Sequence, residues 1–366
     1  MRVKKLSDKK KIILGADIGT GNIVIARQDG KNIITESMRN MYFKIDEEML
    51  STSMFSPEKS DYIELKNDKG EVENVLLVGS DAYDLANAVN STELCRPMKS
   101  GVISSKAMDS IDVIALMIEK LIGGPVKKDE EGYVCFSIPA QCVDLDEPPS
   151  VAWHEKVFHQ IFNKLGFTTK SLNEAMSLVF SEASKENFSA ITFSFGAGNV
   201  NVAMSINGLS VLNFAISKSG DWIDQKVAEN QGITPNKVCK VKEKEDFDLS
   251  DTSIGRKQEL RIRENIAVYY ENLINFVIRI FVREFQKKAS GVDFDSNINI
   301  IISGGTASAK GFLELFKKVF DENRDDFPLE VGEIRLASDM MDSVSRGCLV
   351  FALHETSKTD SNKKKE

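Results

Sequence analysis

Twice along the chain, an apolar run ends in a Gly-x-Gly turn and leads into two more runs of alternating apolar and polar residues. This doubling constrains the fold more than any other feature. The first copy is KIILGADIGTGNIVIARQDGKNIITES, in which Lys11–Gly19 reads as a buried strand and Asp29-Gly30 as the turn of the hairpin that follows. The second copy is SAITFSFGAGNVNVAMSINGLSVLNFAIS, Ser189–Ser217, with the same order of strand, glycine turn, strand, turn and strand. One Gly-x-Gly turn after a strand is commonly a plain β-turn. Two at matching places predict two related lobes.

The 366 residues, 42% hydrophobic and 28% charged, suffice for two such lobes with a cleft between them. Helical spacing at Ala107–Leu121 and Val151–Phe167 brackets a strand at Tyr133–Ala140, so strand and helix alternate and the class is α/β. The first lobe is expected over residues 11–171, with a small inserted subdomain at about 38–77 where the chain is charged and irregular. The second is expected over 172–353, with a helical subdomain at about 220–296 that includes one or two long amphipathic helices in Arg261–Ala289. A last strand at Ile334–Ser338 and a last helix at Met341–Leu353 precede a polar tail, 354–366, expected to be disordered.

A formal charge of −8 provides no global positive field, so direct nucleic-acid binding is not expected. The five cysteines form no CxxC pair and the three histidines have no metal-ligand spacing, a pattern that fits a reducing cytoplasm and excludes a zinc site. The apolar run after the basic start is short and broken by Asp17, so neither a signal peptide nor a membrane span is expected there. The Lys-rich ends, residues 4–11 and the tail from His354, read as solvated termini or as a weak tether to lipid or a partner.

Three glycine turns carry the chemistry. In Asp17-Ile18-Gly19-Thr20-Gly21-Asn22, glycines let backbone N–H groups approach a polyphosphate, Thr20 and Asn22 add polar donors, and Asp17 is placed to hold a hydrated Mg²⁺. Gly196-Ala197-Gly198-Asn199 stands at the same place in the second copy. Ser303-Gly304-Gly305-Thr306 follows the apolar strand INIIIS and precedes a helix; its bare backbone would admit a flat base or ribose.

These motifs, in this order and at about this spacing, resemble the two phosphate motifs and the adenosine motif of the actin-like ATPase superfamily, a likeness that covers most of residues 11–353. Val78–Ala82 and Arg96–Ile103 (RPMKSGVI) resemble segments of the MreB and MamK branch of bacterial actin homologues. Gly220-Asp221, opening GDWID, resembles the G-D-x-x-D start of the second lobe's helical subdomain. Lys242 and Glu243 resemble the pair that brackets the adenosine, or else belong to an ordinary solvated charge run. Ser137–Ala140 and Asn173–Met176 resemble the segments flanking the helix that connects the lobes. The resemblance implies a two-lobed actin-like ATPase fold with duplicated mixed-sheet domains and an inter-lobe nucleotide cleft that takes ATP and Mg²⁺.

The departures concern hydrolysis. Relatives carry Asp at the start of the second phosphate motif, where this chain has Ser194. The water-polarising group of relatives is expected early in the connecting helix, at His154 or Glu155, unless both are surface residues of an amphipathic helix. A slow ATPase is therefore expected, and Ser194→Asp is expected to raise turnover.

The resemblance implies a cytoplasmic, ATP-binding cytoskeletal protein that self-associates into filaments, with lobe closure coupled to nucleotide. The alternative is a non-polymerising scaffold with little or no ATPase activity, read by a protein or membrane-associated partner. No sugar-pocket motif supports a sugar kinase, and the residues after the last helix are too few for a chaperone's substrate domain.

Overall fold

The computed structural model describes residues 9–45, 59–89, 93–104, 109–292 and 297–363. Part of the N-terminal Lys-rich run, residues 4–8, and part of the expected insertion, residues 46–58, lie outside the described residues.

Two five-stranded sheets of the same topology form the body. In the first, the order is β10-β9-β1-β2-β3; in the second, β13-β12-β11-β14-β15. In the first sheet, β1 (Lys10–Ile18) pairs antiparallel with β2 (Asn22–Asp29), which pairs antiparallel with β3 (Asn32–Arg39). On its other side β1 runs parallel to β9 (Glu130–Ile138), and β9 parallel to β10 (Phe167–Asn173). The second sheet repeats this with β11 (Ala190–Phe195) at the centre, β12 (Val200–Ile206) and β13 (Leu209–Ile216) as the meander, and β14 (Ile298–Ser303) and β15 (Val331–Leu336) as the parallel side. The duplication read from the two meanders is thus a duplication of sheet topology.

The insertion begins later than the charge pattern suggests, because β3, which spans residue 38, belongs to the first sheet. Its own small sheet has the order β4-β6-β5, from β4 (Tyr42–Ile45), β5 (Tyr62–Lys66) and β6 (Val72–Val78), and leads into helix α1 (Gly79–Ala88). The RPMKSGVI segment forms a tight hairpin of β7 (Met98–Lys99) and β8 (Val102–Ile103).

One face of the first sheet is covered by α2 (Asp109–Ile122) and α3 (Val151–Lys164), whose residues Ile114, Ile118, Phe158 and Phe162 pack with Leu14, Ile25 and Phe136. Ser150 caps α3 by accepting from the Trp153 N–H at 3.2 Å. In the second lobe, α5 (Gly220–Gln231), α6 (Pro235–Lys242), the single long helix α7 (Lys257–Lys288) and α8 (Phe312–Glu322) share one core with the sheet. Phe193, Phe195, Phe281, Phe312 and Phe316 pack ring to ring there, so Tyr270, Phe276 and Phe281 of α7 serve packing as their helical spacing predicts.

Of two helices near the lobe boundary, the first keeps to the linear division of the chain and the second departs from it. Helix α4 (Glu174–Glu182) packs on the second sheet, with Met176 and Val179 against Ala190, Ala203 and Ile301. The last helix, α9 (Ser343–Lys363), returns to the first lobe and lies on β1 and β9, with Cys348 and Ala352 against Cys135. The approach is close enough that a Cβ on Gly15 would stand 2.1 Å from the Ser345 carbonyl oxygen. The helix also runs to Lys363, through residues whose polarity predicts disorder. Its buried first turns nucleate it, and the Thr356 hydroxyl bonds back to the Ala352 and Leu353 carbonyls, so propagation needs little more than a polar sequence of fair helix propensity. Among the described residues, no helix is long and apolar enough to cross a membrane.

Candidate functional site

Matching crossovers carry the three glycine turns to the same side of their sheets, and they meet in a cleft of about 440 Å³ between the lobes. Asp17 through Asn22, Gly196 through Asn199, Gly220-Asp221, Lys242-Glu243 and Gly304 through Thr306 all line it. His154 and Glu155 do not.

The loops are joined by their own polar groups. Thr306 donates its hydroxyl to the Gly196 carbonyl at 2.7 Å, Ser219 donates to the same oxygen, and the Asp221 N–H reaches the Ala197 carbonyl. Within the first lobe, the Gly101 N–H of the β7–β8 turn donates to the Thr20 hydroxyl at 3.0 Å. Gly304 has φ +100, and a Cβ there would stand 2.3 Å from the Phe195 carbonyl oxygen, so only glycine fits. At Gly305 the nearest neighbour of a Cβ would be the flexible Met341 side chain, at 3.3 Å. Gly304 therefore serves the backbone, and Gly305 leaves open space in the cleft. The Tyr270 hydroxyl steadies this turn by donating to the Thr306 carbonyl.

At the deep end, two carboxylates face each other's field. Asp17, at the end of β1, accepts from the Ser137 hydroxyl at 2.7 Å. Glu174, the first residue of α4, accepts from the Ser194 hydroxyl and from the Asn201 side-chain amide, each at 2.7 Å, and Asn201 in turn accepts from the Ala140 N–H. Burial pushes Asp17 up to about 6, Asp342 adding to the shift and Ser137 opposing it. Burial, then the charge of Asp17, pushes Glu174 up to about 8 against the Ser194 hydrogen bond. Ser194 is thus not a gap in the acidic lining, because a carboxylate from another element fills that place.

The structure places neither His154 nor Glu155 in the cleft. His154 is buried inside the first lobe, where Nδ1 accepts from the Ile103 N–H at 3.2 Å and the ring packs edge-on to Phe158. Burial lowers its pKa to about 3, so it is neutral and sealed from the cleft. Glu155 accepts from the Ser171 hydroxyl on β10 and stands 3.7 Å from His159, on the outer side of the sheet. Counting along the connecting helix pointed to these residues, but that helix does not reach the cleft, whereas Glu174 at the start of the next one does. The signal available in the sequence was Asn173, which caps α4 by accepting from the Met176 N–H and so sets Glu174 at the helix start.

Lys242 and Glu243 are brought to the cleft but point to different partners. Lys242 is buried and donates to Asp224 at 2.7 Å and to the Gly220 carbonyl. Glu243 pairs with Arg39 of the first lobe at 2.7 Å. Asp221 likewise pairs with Arg96 of the first lobe at 2.6 Å.

Among the described residues no group of three or more His, Cys, Asp or Glu side chains could by itself hold a metal ion. The donor set does suit a divalent cation shared with a phosphate ligand: two buried carboxylates, both shifted up by burial and Glu174 also by the charge of Asp17, gain from a positive charge beside them.

A family model described as Volactin matches residues 12–352. No curated protein sequence matches the chain. Among solved structures, a "MamK double helical filament" superposes with a TM-score of 0.68 at 16% identity, over 94% of this chain and 99% of that one. MreB 5 of Spiroplasma citri bound to AMPPNP gives 0.62 at 14% identity, over 97% and 99%. The apo psk41 ParM protein gives 0.54 at 15% identity, over 96% and 99%. At these identities the likeness establishes the actin-like fold.

Proposed function

Because the chain belongs to the Volactin family, we propose that it is a cytoplasmic, cytoskeletal actin-like protein that binds ATP with Mg²⁺ in the inter-lobe cleft and polymerises into filaments as the lobes close. The observation that carries this reading is the convergence of glycine turns from both halves of a duplicated fold on one cavity that also holds Asp17 and Glu174. The turns at Thr20-Gly21 and Ala197-Gly198 would offer their backbone to the phosphates, while the Gly19 and Gly196 N–H groups close the turns on Asn22 and Asn199, and Gly305 leaves room for the adenosine. Mg²⁺, when bound, neutralises phosphate charge. Asp17 is the side chain in position to hold it through water.

We assign to Glu174 the role that the sequence suggested for His154 or Glu155. Its carboxylate is oriented by Ser194 and Asn201, and a pKa of about 8 lies near a working pH, which suits a group that accepts a proton from an attacking water. The same shift leaves much of it protonated near neutrality, so hydrolysis is slow and nucleotide serves chiefly to switch the lobes. Two of the similar structures are described as a filament and as an AMPPNP complex, in keeping with both halves of the proposal. The four buried cysteines, all free, fit a reducing compartment.

Light scattering and negative-stain microscopy with and without Mg·ATP test this reading, with calorimetry for binding. Filaments that depend on Mg·ATP are expected. Calorimetric binding without filaments would favour the scaffold reading. Absence of ATP binding would refute both.

A further inference from the structure

Five cationic side chains line the cleft among the described residues: Arg39, Arg96, Lys242, Lys244 and Lys310. Each is paired with a carboxylate. The three lysines pair within the second lobe, with Asp224, Glu259 and Asp248. The two arginines reach across. Arg39, the last residue of β3, meets Glu243 at the end of α6, and Arg96, just before β7, meets Asp221 in the first turn of α5.

The crossing is braced by other groups. The Arg39 guanidinium lies 4.6 Å from the centre of the Tyr83 ring on α1, and the Tyr83 hydroxyl is 3.5 Å from the Asn236 carbonyl on α6. A planar cation held between a carboxylate and an aromatic face has a defined geometry that a freely rotating surface pair lacks. The four partners are 26–39% exposed, so each pair retains much of its Coulomb attraction yet stays open to salt.

We propose that Arg39 and Arg96 are positioning residues that latch the cleft shut across its opening, through Glu243 and Asp221, and thereby set the rate of nucleotide exchange. The latch rests on the proposed nucleotide reading for its consequence; the two pairs themselves are made by this chain's own residues. Exchange requires both pairs to part, so release accelerates with ionic strength and with loss of either guanidinium. Pairs of this exposure contribute up to about 1 kcal/mol each, or about fivefold in rate.

The test is stopped-flow release of a fluorescent ATP analogue chased with ATP. Arg39→Ala and Arg96→Ala are expected to release it about fivefold faster than wild type, the double variant faster still, and Arg39→Lys and Arg96→Lys within about twofold of wild type. Wild-type release should rise with salt, and the double alanine variant should be salt-insensitive. Alanine variants that release at the wild-type rate, or lysine variants as fast as alanine ones, overturn the latch. If the analogue does not bind, the ATP reading fails and the latch is judged on apo protein by pulsed-EPR distances between labels at Lys66 and Lys240, in a Cys95→Ser background. One narrow distance in wild type that broadens and lengthens in the double alanine variant supports the latch. A broad wild-type distribution, or one unchanged by the substitutions, refutes it.

Discussion

Replacing Ser194 by Asp, which the sequence alone suggests as a way to restore activity, is expected from the structure to destabilise the protein when no divalent cation is present. Ser194 is 2% exposed, and its hydroxyl donates to Glu174 at 2.7 Å. An Asp there cannot donate when ionised, so the substitution removes a hydrogen bond to a carboxylate, worth about 1.5–3 kcal/mol. It also brings a second charge against Glu174. Like charges at about 4 Å repel by about 4 kcal/mol at an effective dielectric of about 20, unless one of them takes up a proton. Ser194→Ala loses only the hydrogen bond. Above a pH of about 8, where Glu174 is ionised, the expected order of urea midpoints in EDTA is therefore wild type, then Ser194→Ala, then Ser194→Asp, the last about 3–5 kcal/mol below wild type. Mg·ATP should recover the Asp variant more than the Ala variant, because the cation offsets the added charge. An Asp variant at least as stable as the Ala variant in EDTA would refute the placement of Glu174 beside Ser194.

Gly305→Val should abolish ATP binding by calorimetry with thermal stability nearly unchanged, since only the Met341 side chain must give way; Gly304→Ala should lower stability by several kcal/mol, because its backbone conformation and the Phe195 carbonyl leave no room for a Cβ. Gly15→Ala should be at least as damaging, read from the denaturation midpoint, because Ser345 and Leu349 backbone atoms stand within 2.3 Å of the new Cβ and α9 would have to lift from β1. The depressed pKa of His154 predicts acid sensitivity: the unfolded chain takes up a proton below about 6.5 that the folded chain refuses until about 3, so stability falls with pH across that window by up to about 1.4 kcal/mol per pH unit. His154→Gln should flatten that part of the stability–pH curve, and an unchanged slope would mean that His154 is solvated.

The sequence alone was enough for what is local. Alternation with a period of two marks the strands of both meanders, Asp29-Gly30 marks a hairpin, and the glycine turns mark where backbone lies bare. Because the two meanders are alike, that information also implied two like sheets and singled out the three glycine turns, all of which line the cleft. Tertiary structure decided what depends on partners far apart in the chain. Glu174 gains its meaning from Ser194 and Asn201, which follow it, and from Asp17, more than 150 positions earlier; no spacing rule links them, because sheet order and crossovers set the distance. The same holds for α9, whose apolar face fits either lobe by composition and is assigned to the first only by the bare backbone of Gly15. It holds too for Arg39 and Arg96, which read as ordinary surface charges until the closed cleft sets them against Glu243 and Asp221. Periodicity and turn chemistry act over a few residues, whereas the electrostatics of a site arise from side chains that only the packed fold brings within a few ångströms of each other.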